Sequence, residues 1–208
     1  MSLLEKRKTG SSIVGIWKLE ERMEELQGKI KLSDTDKEKF SELKNEYRKK
    51  QWLAARLLLN EVLQKEAEII YDEFNKPFVK DGSVKISLSH SNYLVALIAD
   101  THNECGIDIE LVKPSIQNIA KKFLAETELQ NIKSGIDQMY VYWCAKEAMY
   151  KIYGRKELSF KENLPVNPFS YEDRGTITGR IITGSVNKEC KLWYEKRGEY
   201  MLLYSIHG

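Results

Sequence analysis

The sequence of 208 residues lacks most marks of a secreted, membrane-spanning or nucleic-acid-coating protein. Its three cysteines, Cys105, Cys144 and Cys190, are odd in number, widely spaced and form no CxxC pair. That pattern argues against a disulfide framework and against a zinc site, and fits a reducing compartment. No run approaches the roughly 18 apolar residues that span a bilayer. The opening MSLLEKRKTG has no apolar stretch long enough for a signal peptide. Charge of one sign is missing too: 33 basic against 31 acidic residues leave a net +2, so no global field favours nucleic acid. There is no low-complexity segment. These absences predict a cytoplasmic protein with no membrane and no nucleic-acid partner.

What is present is enough apolar sequence, 42% of residues, for a packed core. The length suits one large domain or two small ones of about 100 residues. Ser11 to Leu19 reads as a first strand, and Ser33 and Asp34 offer N-cap chemistry for a long helical region ending near Lys65. Val84, Ile86 and Leu88 alternate with Lys85, Ser87 and Ser89, as on a half-buried strand, and Tyr93 to Ala99 is almost continuously apolar. GIDIE (106–110) reads as the third member of that antiparallel meander. Beyond it, Ser115 to about Ser134 reads as helical, and Asp137 to Tyr153 as a strong helix closed by Gly154. Strands follow at Gly175–Thr183, Cys190–Glu195 and Tyr200–Ile206. The expected fold is α+β, two similar halves (1–105 and 106–208), each with helices packed on a small antiparallel β-meander.

Three stretches carry chemistry. Along a strand Asp108 and Glu110 share one face while Ile107 and Ile109 anchor the other. Two adjacent carboxylates either face water or share a cation, and two hard oxygen donors suit Mg²⁺. On the helix that follows, Val141, Ala145, Ala148, Met149 and Ile152 gather on a core face. Trp143, Lys146, Glu147, Tyr150 and Lys151 gather opposite them. Glu147 and Lys151, spaced i,i+4, are equally the commonest stabilising surface pair. SLSHS (87–91) places His90 at a strand end beside hydroxyls, and Lys76 is held by a stiff Pro77. Arg56, by helical spacing alone, reads as a surface cation.

The ordered stretches NKP (75–77), SLSHS, GIDIE, KKFLAETEL (121–129) and WCAKEAMYK (143–151) resemble the 4′-phosphopantetheinyl transferase superfamily. Its pattern is a GKP-like turn, an SHS strand, G-x-D-x-E, a helix with F-x-x-x-E, and W-x-x-K-E-A followed by a lysine. Length and layout look like the surfactin-synthetase type, a monomeric pseudo-dimer. Asn75 stands where the family has glycine, and Leu88 where it often has asparagine. The first 70 residues match loosely, mainly through WLAARLLL (52–59).

The resemblance implies transfer of 4′-phosphopantetheine from coenzyme A to a serine of an apo carrier protein, with release of 3′,5′-ADP. Asp108, Glu110 and Glu147 are then expected to hold Mg²⁺, with Mn²⁺ equally suited to such oxygens. Glu147 is the expected base and Lys151 a phosphate contact. Lys76, Ser89, His90, Lys146 and Arg56 are expected against the coenzyme, with Glu128 near the metal or holding Lys151. A catalytically silent module binding coenzyme A or carrier protein is the rival reading.

Overall fold

The computed structural model describes residues 2–207. Strands β1 (Leu3–Thr9) and β2 (Ser12–Lys18) form a hairpin and are followed by helices α1 (Met23–Gly28), α2 (Asp34–Glu42) and α3 (Glu46–Leu63). Then come β3 (Ile69–Tyr71), β4 (Pro77–Val79), β5 (Lys85–Ser91), β6 (Leu94–Asp100) and β7 (Glu104–Leu111). A 3₁₀ turn at Pro114–Asn118 leads to α4 (Ala120–Phe123), α5 (Glu126–Asn131), α6 (Gly135–Tyr153) and α7 (Phe160–Asn163). The last strands are β8 (Arg174–Ile182), β9 (Asn187–Arg197) and β10 (Tyr200–His207).

Two antiparallel sheets result, ordered β1-β2-β6-β5 and β7-β10-β9-β8. Strand alternation explains how they stack. On β6, Leu94, Ala96 and Ile98 enter a core shared with β7 and β10, whereas Val95, Leu97 and Ala99 enter a second core with α3. On β7 and β10, Cys105, Ile107, Ile109, Leu202 and Tyr204 join the shared core, while Met201 and Leu203 pack beneath α6. The molecule is therefore layered helix, sheet, sheet, helix. An apolar strand such as β6 is the expected signature of burial on both faces. Ile107 and Ile109 are fully buried, each contributing about 1.5–3 kcal/mol.

The α+β class and the two sheet-and-helix halves match the expectation. Several local readings change. Ser11–Leu19 is the second strand, because Leu3–Thr9 pairs with it as an edge. The long helical region breaks at Leu43, where the backbone turns extended and Asn45 caps α3 by accepting from the Arg48 N–H at 3.0 Å. Residues 115–134 break likewise at Leu124 and Ala125, both extended. There the Glu128 carboxylate accepts the Ala125 N–H at 2.8 Å and starts α5.

The largest correction concerns GIDIE. It is not the third strand of the first meander: β7 opens the second sheet and pairs antiparallel with β10, Asp108 opposite Leu203. It lies beside β5, yet among the described residues the two share no backbone ladder. Serine side chains bridge them instead. The Ser87 and Ser91 hydroxyls accept the Ile107 and Leu111 N–H groups at 3.1 and 3.0 Å. The constant offset of 20 positions means that β5 and β7 run parallel.

Candidate active site

The acids of GIDIE project from β7 on its α6 side. Gly106 sets that spacing: a Cβ there would stand 2.1 Å from the Ala148 carbonyl oxygen, so α6 presses directly on the strand. Asp108 is consequently 2% exposed rather than a surface acid. Its Oδ1 accepts from Lys151 Nζ at 2.7 Å and from the Ser89 hydroxyl at 2.7 Å. Its Oδ2 is buried with no partner. Lys151 also donates to the Ile107 carbonyl at 2.8 Å, so its ammonium is tied to the strand and faces the acids.

Glu110, half-buried, accepts the Ser91 hydroxyl at 2.7 Å. Burial and then the Asp108 charge push its carboxyl above the ordinary range, against the hydrogen bonds from Ser91 and Trp143. Glu147 is pushed further, to about 7, by burial first and by Asp108 next, with Lys151 opposing. At Glu110 and Glu147 the Asp108 charge thus outweighs what Lys151 returns. Among the described residues no three acid, histidine or cysteine side chains converge as a ready-made metal cage. An orphaned carboxylate oxygen and an under-compensated acid cluster nevertheless fit a hard cation that takes few protein ligands and completes its shell with water and phosphate.

Clefts flank this cluster. One is lined by Phe74, Lys76, Pro77, Leu88, Tyr150 and Lys151. A second continues it across Pro77 and Leu88 to Arg48, Trp52, Arg56 and His90. On the other side Glu110 and Trp143 border a third with Ile116 and Ile119. The NKP turn is built by Asp72, whose Oδ1 accepts the Phe74 and Lys76 N–H groups at 2.9 and 2.8 Å. Asn75 takes φ +66°, a left-handed conformation that asparagine tolerates, so its replacement of glycine keeps the turn. Lys76 Nζ meets Glu104 at 2.7 Å and the Ile152 carbonyl at 3.2 Å, capping the C-terminus of α6. Gly154, at φ +68°, ends that helix and leaves room for the Lys76 chain.

Three expected residues sit differently from the sequence reading. Lys146 does not share the open side of α6 with Glu147. It is 0% exposed, and its three N–H bonds go to Glu128 Oε1 (2.8 Å), Phe160 O (2.9 Å) and Leu164 O (2.7 Å). The reason is cover that a helical wheel cannot show: α7 and the chain leading from it lie over that side of α6. Burial lowers the Lys146 pKa, and Glu128 opposes the shift. Glu128, 3% exposed, accordingly holds Lys146 and not Lys151, and also accepts the Val166 N–H at 2.9 Å. Arg56 is no surface cation either. It is 1% exposed, donates to Asp36 at 2.8 Å and stacks on Trp52, its guanidinium 3.1 Å from the ring centre.

His90 lies at the mouth of the second cleft, with Arg48 Nη1 2.6 Å from its Nε2. Crowding by protein atoms and then the Arg48 cation push the imidazole down, to about 4. Arg48 and Ser91 were not singled out by sequence. Their signal was positional: Arg48, Trp52 and Arg56 share one helix face at i,i+4, and Ser91 continues the Ser87, Ser89 face of β5.

Residues 104–203 match the family model described as the 4′-phosphopantetheinyl transferase superfamily. That segment contains the GIDIE strand and all of α6. The chain is 31% identical over 112 residues to the 4′-phosphopantetheinyl transferase AcpT of Salmonella typhimurium, covering 50% of this chain and 58% of that protein. It is 33% identical over 139 residues to a 4′-phosphopantetheinyl transferase of Bacillus subtilis (62% and 58%). Against the 4′-phosphopantetheinyl transferase Sfp of Bacillus subtilis strain 168 it is 35% identical over 104 residues (47% and 44%). The chain thus spans roughly half the length of these relatives. GIDIE and the Glu147 helix both lie inside the segment that is similar to the 4′-phosphopantetheinyl transferase superfamily.

Proposed function

We propose that the protein transfers 4′-phosphopantetheine from coenzyme A to a serine hydroxyl of an apo carrier protein. The observation that carries this reading is one juxtaposition. Lys151 stands 2.7 Å from a buried Asp108 whose second oxygen is orphaned, beside Glu110 and a Glu147 held near neutrality. Asp108, Glu110 and Glu147 are the residues that would hold Mg²⁺ or Mn²⁺, and such a cation would supply charge neutralisation on the pyrophosphate.

The chain's own residues account for the rest. The clefts over Lys76, Lys151, Arg48 and His90 suit the phosphates of the coenzyme, and the cleft beside Glu110 and Trp143 gives the carrier serine its approach. Glu147, on α6 beside the β7 acids, is the residue that takes the hydroxyl proton of the incoming serine. The serine oxygen bonds to the pantetheine-bearing phosphorus, the pyrophosphate P–O bond breaks, and 3′,5′-ADP leaves. Lys151, fixed by the Ile107 carbonyl, stabilises charge on the transferred phosphate. No helix among the described residues is long and apolar enough to cross a membrane. On the transferase reading the protein works as a cytoplasmic monomer.

Intact-mass measurement tests the reading. With coenzyme A and Mg²⁺, an apo carrier protein gains about 340 Da, the mass of the phosphopantetheine group. Coenzyme A binding without mass gain on any of several carriers, fatty acid synthesis included, would favour the silent binding module.

A further inference from the structure

We propose that Ser89 and Ser91 are positioning residues for the acid pair, supplied by the first sheet to carboxylates of the second. Both hydroxyls project from one face of β5 and donate across to β7, Ser89 to Asp108 Oδ1 and Ser91 to Glu110 Oε2, each at 2.7 Å. Both acceptors are carboxylates, which makes these charge-assisted bonds the strong kind. Ser91 is held in turn by the Leu111 N–H at 3.0 Å, so its rotor is set by the β7 backbone.

A serine has a single O–H to give. Ser89 gives its proton to Asp108, so it cannot at the same time donate to a phosphate oxygen, the role that its neighbour His90 suggests for it. With Oδ1 occupied by Ser89 and Lys151, Asp108 is left to offer the orphaned Oδ2 to a cation. Ser91 likewise fixes Oε2 of Glu110. The acid site is therefore complete only where the two sheets meet.

This inference rests on the transferase reading only in taking Asp108 and Glu110 as the cation's ligands. Its test is Mn²⁺ binding to the intact protein without coenzyme A, followed by electron paramagnetic resonance. Loss of an outer hydrogen bond to a ligating group typically weakens metal binding 10- to 100-fold. Ser89→Ala and Ser91→Ala are each expected to weaken Mn²⁺ binding about tenfold or more. Ser91→Thr restores it, and coenzyme A affinity measured without metal stays unchanged in all three. Where an alanine variant fails to fold, Ser89→Cys and Ser91→Cys keep the volume but offer only a weak donor, and the same loss is expected. Unaltered Mn²⁺ affinity, or a wild type that binds no Mn²⁺, overturns the proposal. So does a loss of metal-free coenzyme A affinity in Ser89→Ala, which would make Ser89 a phosphate ligand. A wild type that modifies no carrier while both alanine variants lose Mn²⁺ would sink the transferase reading and leave this one standing.

Discussion

The Gly106 Cα and the Ala148 carbonyl approach so closely that a methyl group on the glycine would stand 2.1 Å from the oxygen. Asp108 lies two residues along from one partner, and Glu147 is the immediate neighbour of the other. A backbone oxygen cannot swing aside as a side chain would, so Gly106→Ala must lift α6 from β7. The expected cost is about 1–3 kcal/mol, read as a lower denaturant midpoint, together with weakened Mn²⁺ binding in the folded protein. Full stability and full metal affinity would show that the helix yields easily.

Lys146 is expected to matter for folding and not for the coenzyme. Truncation to alanine leaves Glu128 buried without its cation and two carbonyls without a donor. Breaking one side of a buried pair costs about 3–5 kcal/mol. Chemical denaturation and calorimetric titration with coenzyme A separate the roles. A well-folded Lys146→Ala protein with weakened coenzyme binding would return this lysine to the site.

Glu147 gives the metal-free protein a pH dependence of defined sign. Its carboxyl lies at about 7 in the fold against an ordinary 4.5, so the folded state holds the proton more tightly than the unfolded chain. Stability from this group is greatest below about 4.5 and falls as pH rises through 7. Glu147→Gln should therefore melt higher than wild type at pH 8 and close to it at pH 4. Allowing for partial exposure, a difference of about 1 kcal/mol corresponds to roughly 2–4 °C in a chain of this size. A variant that melts lower at pH 8 would contradict the assignment.

His90 should respond to an anion. The Arg48 guanidinium helps to keep its imidazole neutral, near 4. Phosphate binding between the two would offset that cation and favour the protonated ring. Proton NMR titration is expected to show the His90 pKa rising when coenzyme A is added, and rising also in Arg48→Ala without ligand. An unmoved His90 resonance at saturating coenzyme A would place the phosphates elsewhere.

Much of the site was legible because local periodicity determines it. Alternation alone put Asp108 and Glu110 on one face and Ile107 and Ile109 in the core, and Gly154 marked the end of α6. Asn75 could stand for glycine because either residue reaches positive φ. What stayed hidden depends on contacts distant in sequence. The helical wheel could not foresee that Phe160 and Leu164 would cover Lys146. The apolar run at β6 could not say that its second face meets another sheet. The partnership of β5 and β7 left no backbone pattern, because hydroxyls rather than ladder bonds make it.

The core shared by the two sheets also limits what a half could do alone. Its walls are Val14, Ile16, Leu94, Ala96 and Ile98 on one side, and Cys105, Ile107, Ile109, Leu202 and Tyr204 on the other. Separated, each half would present a broad oily face to water, of the kind that drives association or precipitation. A polypeptide with only one such half would have to borrow the missing face from another molecule, which makes self-association the natural state of a single unit and covalent tandem linkage a way to dispense with it.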